Sequence, residues 1–310
     1  MRRISMGHLR VNRSGGRRCP GPAPTRAVRS VTGRITTVDS GEPVLLLTED
    51  QIQLFGSWWP ATPVADEPAV NGRPGRNSDT LIIFIPGFTG HARVAAVRRL
   101  VVRLRRRADV FVVELRGHGR SAGVSSMGAH EVADVAAAVE WARRQGYARV
   151  ATVGFSFGAA VALCHAALRR GPDERVDAVA AVSTPSRSFV RDTPVMRALH
   201  VLVETLPGRL VARTVFKVRL APPTETLPPA PLELMSALAP TPVLLVHGLD
   251  DHYFPVEHPL ALAAAADGHA TVWLETGFAH AENRLPVPLA DRLGRWLVQA
   301  AAAEPPRVHP

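Results

Sequence analysis

The 310 residues carry a formal net charge of +10 and 46% hydrophobic residues, an ordinary apolar share for a globular protein with a substantial core. No run of about 18 uncharged apolar residues occurs, which argues against a transmembrane segment. The charge is concentrated rather than spread: residues 1–30 hold eight arginines and no acidic residue, leaving 29 basic against 27 acidic residues over 31–310.

Taken in chain order, residues 1–33 come first. Their Arg, Gly, Pro and Ser content buries too little apolar surface to order a chain, so a disordered tail is expected. An unfocused arginine tail specifies no nucleic-acid partner, although it could tether weakly to nucleic acid or anionic lipid. No apolar stretch of about 7–15 residues follows the arginines, so no secretory signal is read and a cytoplasmic location is expected. The two cysteines, Cys19 and Cys164, make no disulfide framework.

From residue 34 the pattern changes to short apolar runs alternating with amphipathic stretches. Val44–Leu47 and Ile52–Phe55 read as two strands, antiparallel at a sheet edge, and 61–79 as a loop. Leu81–Ile85 is a continuous apolar run, as for a strand buried on both faces. A helix is expected over 91–106, a strand over 110–113, a helix over 130–144, a strand over 150–153 and a helix over 157–169. Strands over 177–182, 243–247 and 271–275 and helices over 256–266 and 287–302 complete the rhythm. Such alternation implies a mainly parallel, doubly wound α/β sheet. The rhythm fails over 184–240, a proline-rich stretch with helical patches at 194–206 and 209–218, which reads as a cap or lid inserted between core segments 34–183 and 241–303.

Gly154-Phe155-Ser156-Phe157-Gly158 stands between an apolar strand and an Ala-rich helix. Gly-x-Ser-x-Gly in that strand–turn–helix setting is a nucleophile elbow, a turn that lifts the hydroxyl clear of the sheet. The plainer alternative is a helix N-cap serine. A serine hydroxyl needs a base to take its proton and a carboxylate to orient that base. In this kind of fold they follow later strands, in the order Ser, acid, His. Asp250-Asp251 follows the strand ending at His247-Gly248, and His280 follows the strand ending at Glu275. No convergent His and carboxylate set suggests a metal, and no cofactor is expected.

These motifs resemble the α/β-hydrolases grouped with monoacylglycerol lipases, serine aminopeptidases and related carboxylesterases. The acid motif His-Gly-x-x-Asp-x-x-x-Pro is matched by His247, Gly248, Asp251 and Pro255, which selects Asp251 over Asp250. Gly277-Phe278-Ala279-His280 is similar to the Gly-x-x-His of those enzymes. Arg116-Gly117-His118-Gly119-Arg120-Ser121 matches a further segment, with Glu114 where the family has aspartate. The resemblance implies an α/β-hydrolase fold over about 42–302 outside the cap. It also implies a catalytic triad of Ser156, Asp251 and His280.

Acyl transfer puts negative charge on a carbonyl oxygen, so two N–H donors are needed. The expected oxyanion-hole donors are the backbone amides of Phe157 and Phe88. The loop holding Phe88 reads Pro86-Gly87-Phe88, where the related enzymes have His-Gly, so a polar side chain that orders it is missing. Apolar residues in the cap (Val195, Leu199, Leu202, Val203, Leu206) with Phe88, Phe155 and Phe157 suggest an apolar acyl pocket, unless the cap residues only pack on the sheet rim. The function expected is hydrolysis of a carboxylic ester, thioester or amide of a small apolar acyl substrate through an acyl-enzyme. An acyltransferase or thioesterase, or an inactive binding protein, are the competing readings, and the oligomeric state is unknown.

Overall fold

A single eight-stranded sheet organises the described residues, which in this computed structural model are 41–62, 78–222 and 228–303. The arginine-rich segment 1–33 and most of the loop 61–79 lie outside them. Strands β1 (Glu42–Leu47), β2 (Gln53–Trp59), β3 (Thr80–Ile85), β4 (Asp109–Val113), β5 (Arg149–Phe155), β6 (Ala178–Val182), β7 (Val243–Gly248) and β8 (Ala270–Glu275) run in the spatial order β1-β2-β4-β3-β5-β6-β7-β8. β1 pairs antiparallel with β2, and β2 antiparallel with β4. Every other neighbouring pair is parallel.

The unbroken apolar strings of β3 and β4 have the burial they imply, since every residue of both strands is buried. Helices cover both faces. The helices are α1 (Ala95–Leu104), α2 (Glu131–Arg144), α3 (Phe157–Leu168), α4 (Pro194–Glu204), α5 (Leu206–Thr214), α6 (Pro231–Leu234), α7 (Glu257–Ala265) and α8 (Val287–Ala302). On one face Val135, Val139, Ala159, Leu163 and Leu262 from α2, α3 and α7 pack on Ile83, Val150 and Leu245. On the other, Val97, Leu100, Leu293 and Leu297 from α1 and α8 pack on Ile82, Phe84 and Leu244. Each of the Val, Leu, Ile and Phe side chains contributes about 1.5–3 kcal/mol of transfer free energy, and this burial is what holds the two helical layers to the sheet.

The chain steps outward from β3 to β4, then returns across β3 to β5. The loops leaving the carboxyl ends of β3 and β5 therefore part to opposite faces there, the topological position at which α/β sheets place a binding crevice.

Two helix boundaries differ from the sequence pattern. The periodic residues over 194–206 and 209–218 suggest a break near 207, but α5 starts at Leu206 and ends at Thr214. Thr205 is the reason: it ends α4 in an extended conformation and caps α5, its Oγ1 accepting from the Gly208 amide at 3.1 Å. Pro207, which has no N–H to lose, fits the first turn that follows. Helix α1 likewise begins at Ala95 instead of 91, because residues 91–94 form a turn closed by the Val94 amide on the His91 carbonyl at 3.0 Å.

Candidate active site

Ser156 sits between β5 and α3 with φ +51° and ψ −117°, a region costly for a residue with a Cβ. Two glycines make the turn possible. A Cβ on Gly154 would lie 2.3 Å from the Gly158 carbonyl oxygen, and one on Gly158 would lie 2.3 Å from the Pro86 carbonyl oxygen. The second contact shows how closely the β3 loop is drawn onto the start of α3. The Ser156 amide donates to the Val182 carbonyl at 2.8 Å, tying the turn to β6. The Ser156 hydroxyl makes no capping bond to its helix; it faces His280 instead.

His280 arrives from the loop after β8. That loop lies directly against the end of β7, where a Cβ on Gly248 would meet the Phe278 carbonyl oxygen at 2.0 Å. His280 Nε2 is 2.9 Å from Ser156 Oγ, and its Nδ1 is 2.8 Å from Asp251 Oδ2 and 3.0 Å from Oδ1. Asp251 Oδ1 also accepts the amides of Tyr253 at 2.8 Å and Phe254 at 3.1 Å. Burial works to raise the Asp251 pKa, but the His280 hydrogen bond and charge and these two amides outweigh it and hold the carboxyl below its ordinary value. Neighbouring Asp250 is engaged elsewhere, its Oδ2 accepting the Gly277 amide at 3.1 Å. The three residues read from separate strand ends are thus joined in series, with His280 within hydrogen-bond reach of both Ser156 and Asp251.

The family model described as the alpha/beta hydrolase fold matches residues 80–210. This chain has the α/β-hydrolase fold. Among solved structures it is similar to the Pyrococcus furiosus esterase Pf2001, with 22% identity, a TM-score of 0.64, and coverage of 88% of this chain and 99% of that one. It is also similar to the α/β hydrolase GrgF from a Penicillium species, at 18% identity and TM-score 0.62, covering 84% of this chain and 99% of the other. Est1E from Butyrivibrio proteoclasticus, solved with ferulic acid bound, is 17% identical at TM-score 0.54, covering 84% of this chain and 100% of Est1E. Among curated proteins nothing matches.

On this α/β-hydrolase sheet the crevice beside Ser156 is bordered by the Pro86–His91 loop. Phe157 is the first residue of α3, so its amide has no intrahelical acceptor, and Phe88 lies in the loop. Neither amide donates to another group among the described residues. The His118 ring stands between the two side chains, 5.8 Å from the Phe88 ring and 6.2 Å from the Phe157 ring. Its loop is braced by Glu114, which accepts the Arg120 amide at 2.6 Å and whose carbonyl accepts the Ser121 hydroxyl. The glutamate in place of aspartate therefore still closes the loop.

Three residues that the sequence patterns left unmarked also belong here. Tyr253 stacks on His280 at 4.0 Å between ring centroids, and Phe254 meets the same ring edge-on at 5.5 Å. Buried Glu282, two residues past His280, accepts the Gly87 amide through Oε1 at 3.3 Å, while its Oε2 has no partner. Burial raises its pKa, only partly offset by the backbone amides and His280. Proximity to the acid and histidine motifs was the only sequence signal for any of them.

Other candidates resolve differently. Phe155 does not face the crevice: the strand alternation of β5 turns it into the core, where it stacks on Phe84 at 4.6 Å. Val195 and Leu206 are exposed, whereas Leu199 packs beside Val190, Met196, Tyr253 and Phe254. His247 binds the Phe254 carbonyl at 3.0 Å through Nε2 and so supports the acid loop. His258 is buried under the 186–192 segment, its Nδ1 2.8 Å from the Ser186 hydroxyl, and His165 is buried in α3. His91 caps its own turn, its Nδ1 accepting the Arg93 amide at 3.2 Å. Among the described residues no group of three or more His, Cys, Asp or Glu side chains is arranged to hold a metal ion, and no helix is long and apolar enough to cross a membrane.

Proposed function

We propose that this chain is a serine hydrolase that cleaves a carboxylic ester of an apolar acyl group through an acyl-enzyme intermediate. The observation that carries the reading is the hydrogen-bonded series from Asp251 through His280 to Ser156, with 2.8 Å at one end of the imidazole and 2.9 Å at the other. Esterases among the solved structures of the same fold agree with it.

In this mechanism His280 Nε2 takes the Ser156 proton as Oγ forms a bond to the substrate carbonyl carbon. Asp251 holds the Nδ1 proton, keeps the ring oriented and stabilises the imidazolium. The carbonyl oxygen becomes an oxyanion that accepts from the Phe88 and Phe157 amides, each such donor being worth about 10²–10³ in rate. The alkoxide leaves with the proton from His280, and the acyl group stays on Ser156. Water then loses a proton to His280, attacks the acyl carbon, and releases the acid and free Ser156. Thioesters and amides would follow the same steps with a different leaving group.

The residue behind the oxyanion loop is Glu282. In related enzymes a polar histidine orders that loop; here Pro86 stands in its place, and a carboxyl from the other side of the crevice holds the Gly87 amide. The segment 184–240 acts as a lid in this reading. Its support is the Thr193 hydroxyl, which donates to the Tyr253 carbonyl at 3.0 Å, and the packing of Met196 beside Phe254. Aromatic Phe88 and Phe157 bordering the crevice support an apolar acyl group.

A fluorophosphonate probe tests the assignment. Wild-type protein should be labelled and Ser156→Ala should not; an unlabelled wild type would remove the basis for the proposal. Acyl-chain panels with water and with alcohols as acceptors then separate hydrolysis from transfer.

A further inference from the structure

Helices α4 and α5 bury little of the apolar surface they carry. Only Met196 and His200 of α4 and Ala212 of α5 are buried. Large aliphatic side chains stand in solvent instead, with Val201 61%, Leu206 74%, Leu210 61% and Val215 64% exposed, and Val211 and Phe216 also exposed. A surface helix normally turns its apolar stripe inward, so an outward cluster of this kind marks a surface that meets something.

The charges around the cluster have one sign. Residues 205–222 contain Arg209, Arg213, Lys217 and Arg219 and no acidic residue. Arg219 is turned back to the carbonyls of Gly123 and Ser121, which leaves three cations among the exposed aliphatics. Among the described residues the acids nearest in sequence on the N-terminal side are already engaged: Asp192 pairs with Arg187 at 2.7 Å, and Glu204 with Arg191 and His200, each at 2.6 Å; Glu225, on the other side, lies outside the described residues. Arg209 and Arg213 have no carboxylate partner among the described residues.

We propose that the α4–α5 hairpin is a docking surface for a bilayer that contains anionic lipid. Aliphatic side chains enter the boundary between headgroups and acyl chains, while the cations between them sit at lipid phosphates on stems long enough to reach outward. Charge sign separates this occupant from the alternatives. A second copy docked through a two-fold axis would set the three cations against their own images. The eight arginines of residues 1–30 carry the same sign as the patch and do not complement it. The proposal does not depend on the acyl-transfer reading.

Co-sedimentation of the full chain with vesicles tests it. Protein should pellet with phosphatidylcholine vesicles containing phosphatidylglycerol, much less with pure phosphatidylcholine, and less as salt rises from 20 mM to about 150 mM, where the screening length falls to about 8 Å. The variant Arg209→Ser/Arg213→Ser/Lys217→Ser should lose the preference for phosphatidylglycerol, at about fivefold in partitioning per cation removed. The variant Leu206→Ser/Leu210→Ser/Val215→Ser should bind weakly to both vesicle types, and both variants should keep the wild-type unfolding midpoint. No pelleting of wild type with the anionic vesicles would overturn the proposal. So would a charge variant that binds as tightly as wild type, which would assign binding to the arginine tail. A wild-type dimer that the aliphatic variant converts to monomer, without vesicle binding by either, would assign the surface to a second copy.

Discussion

Asp250 and Asp251 are adjacent in the chain, yet their carboxylates reach two different points of one loop. Asp250 accepts the Gly277 amide at 3.1 Å, while Asp251 accepts from the His280 ring at 2.8 Å. One shapes the loop that delivers the histidine and the other holds the imidazole.

Exchanging each in turn separates those tasks. Asp251→Asn removes the negative charge and changes which ring nitrogen is protonated, so kcat should fall by about 10⁴ with the fold intact. Asp250→Asn keeps an oxygen acceptor for Gly277 and should cost less than about tenfold. Steady-state kinetics on a soluble ester, with unfolding midpoints as a control, compare them; equal losses would contradict the assignment.

Gly158→Ala places a methyl 2.3 Å from the Pro86 carbonyl oxygen, a backbone atom that cannot step aside without moving the loop that carries Phe88. Overpacking of this sort costs about 1–3 kcal/mol of stability. Displacing one oxyanion donor costs about 10²–10³ in kcat. Urea unfolding and kcat should both register the change, whereas the same substitution at Gly277, where φ is +67° and no neighbouring atom lies within 4 Å of the added Cβ, should cost stability through backbone strain alone and leave the Pro86–His91 loop undisturbed.

Burial raises the Glu282 pKa in the folded protein. Between the unfolded and folded values the native state holds the extra proton, so this group's contribution to stability falls as pH rises through that window. Glu282→Gln, neutral throughout, should show an unfolding midpoint that gains on wild type from about pH 4 upward. Because the Gln oxygen still accepts the Gly87 amide, its kcat should stay within about tenfold of wild type, and Glu282→Ala should fall further. A pH-independent difference between Gln and wild type would refute the buried carboxyl as the source.

Tyr253 lies flat on His280 at 4.0 Å, and its carbonyl is held by Thr193 at the start of α4. Tyr253→Ala should lower kcat by about tenfold by freeing the ring, and Tyr253→Phe should restore it. Thr193→Ala removes both that bond and the helix cap, costing about 1 kcal/mol. Its effect should appear chiefly in KM for long acyl esters, the property that the proposed lid would control.

Much of this protein could be read from residue order because its signals are local. The unbroken run Leu81–Ile85 demands burial on both faces whatever surrounds it, and Gly154 and Gly158 around Ser156 are needed by one turn of backbone. The antiparallel pair at the edge and the parallel strands that follow come from the same periodicity. The exceptions depend on long-range packing. Phe155, one residue from Ser156, is sent into the core by the pleat of β5. Glu282 reaches Gly87 across 195 positions of sequence, a contact that no spacing rule announces. Residue types and spacing determined the fold class and marked Ser156, and the family resemblance pointed to Asp251 and His280. Only the tertiary structure decided where Asp250 is engaged, what braces the Pro86 loop and which aliphatics of the α4–α5 hairpin stay in solvent. Each of those turns on where two distant segments come to rest against each other.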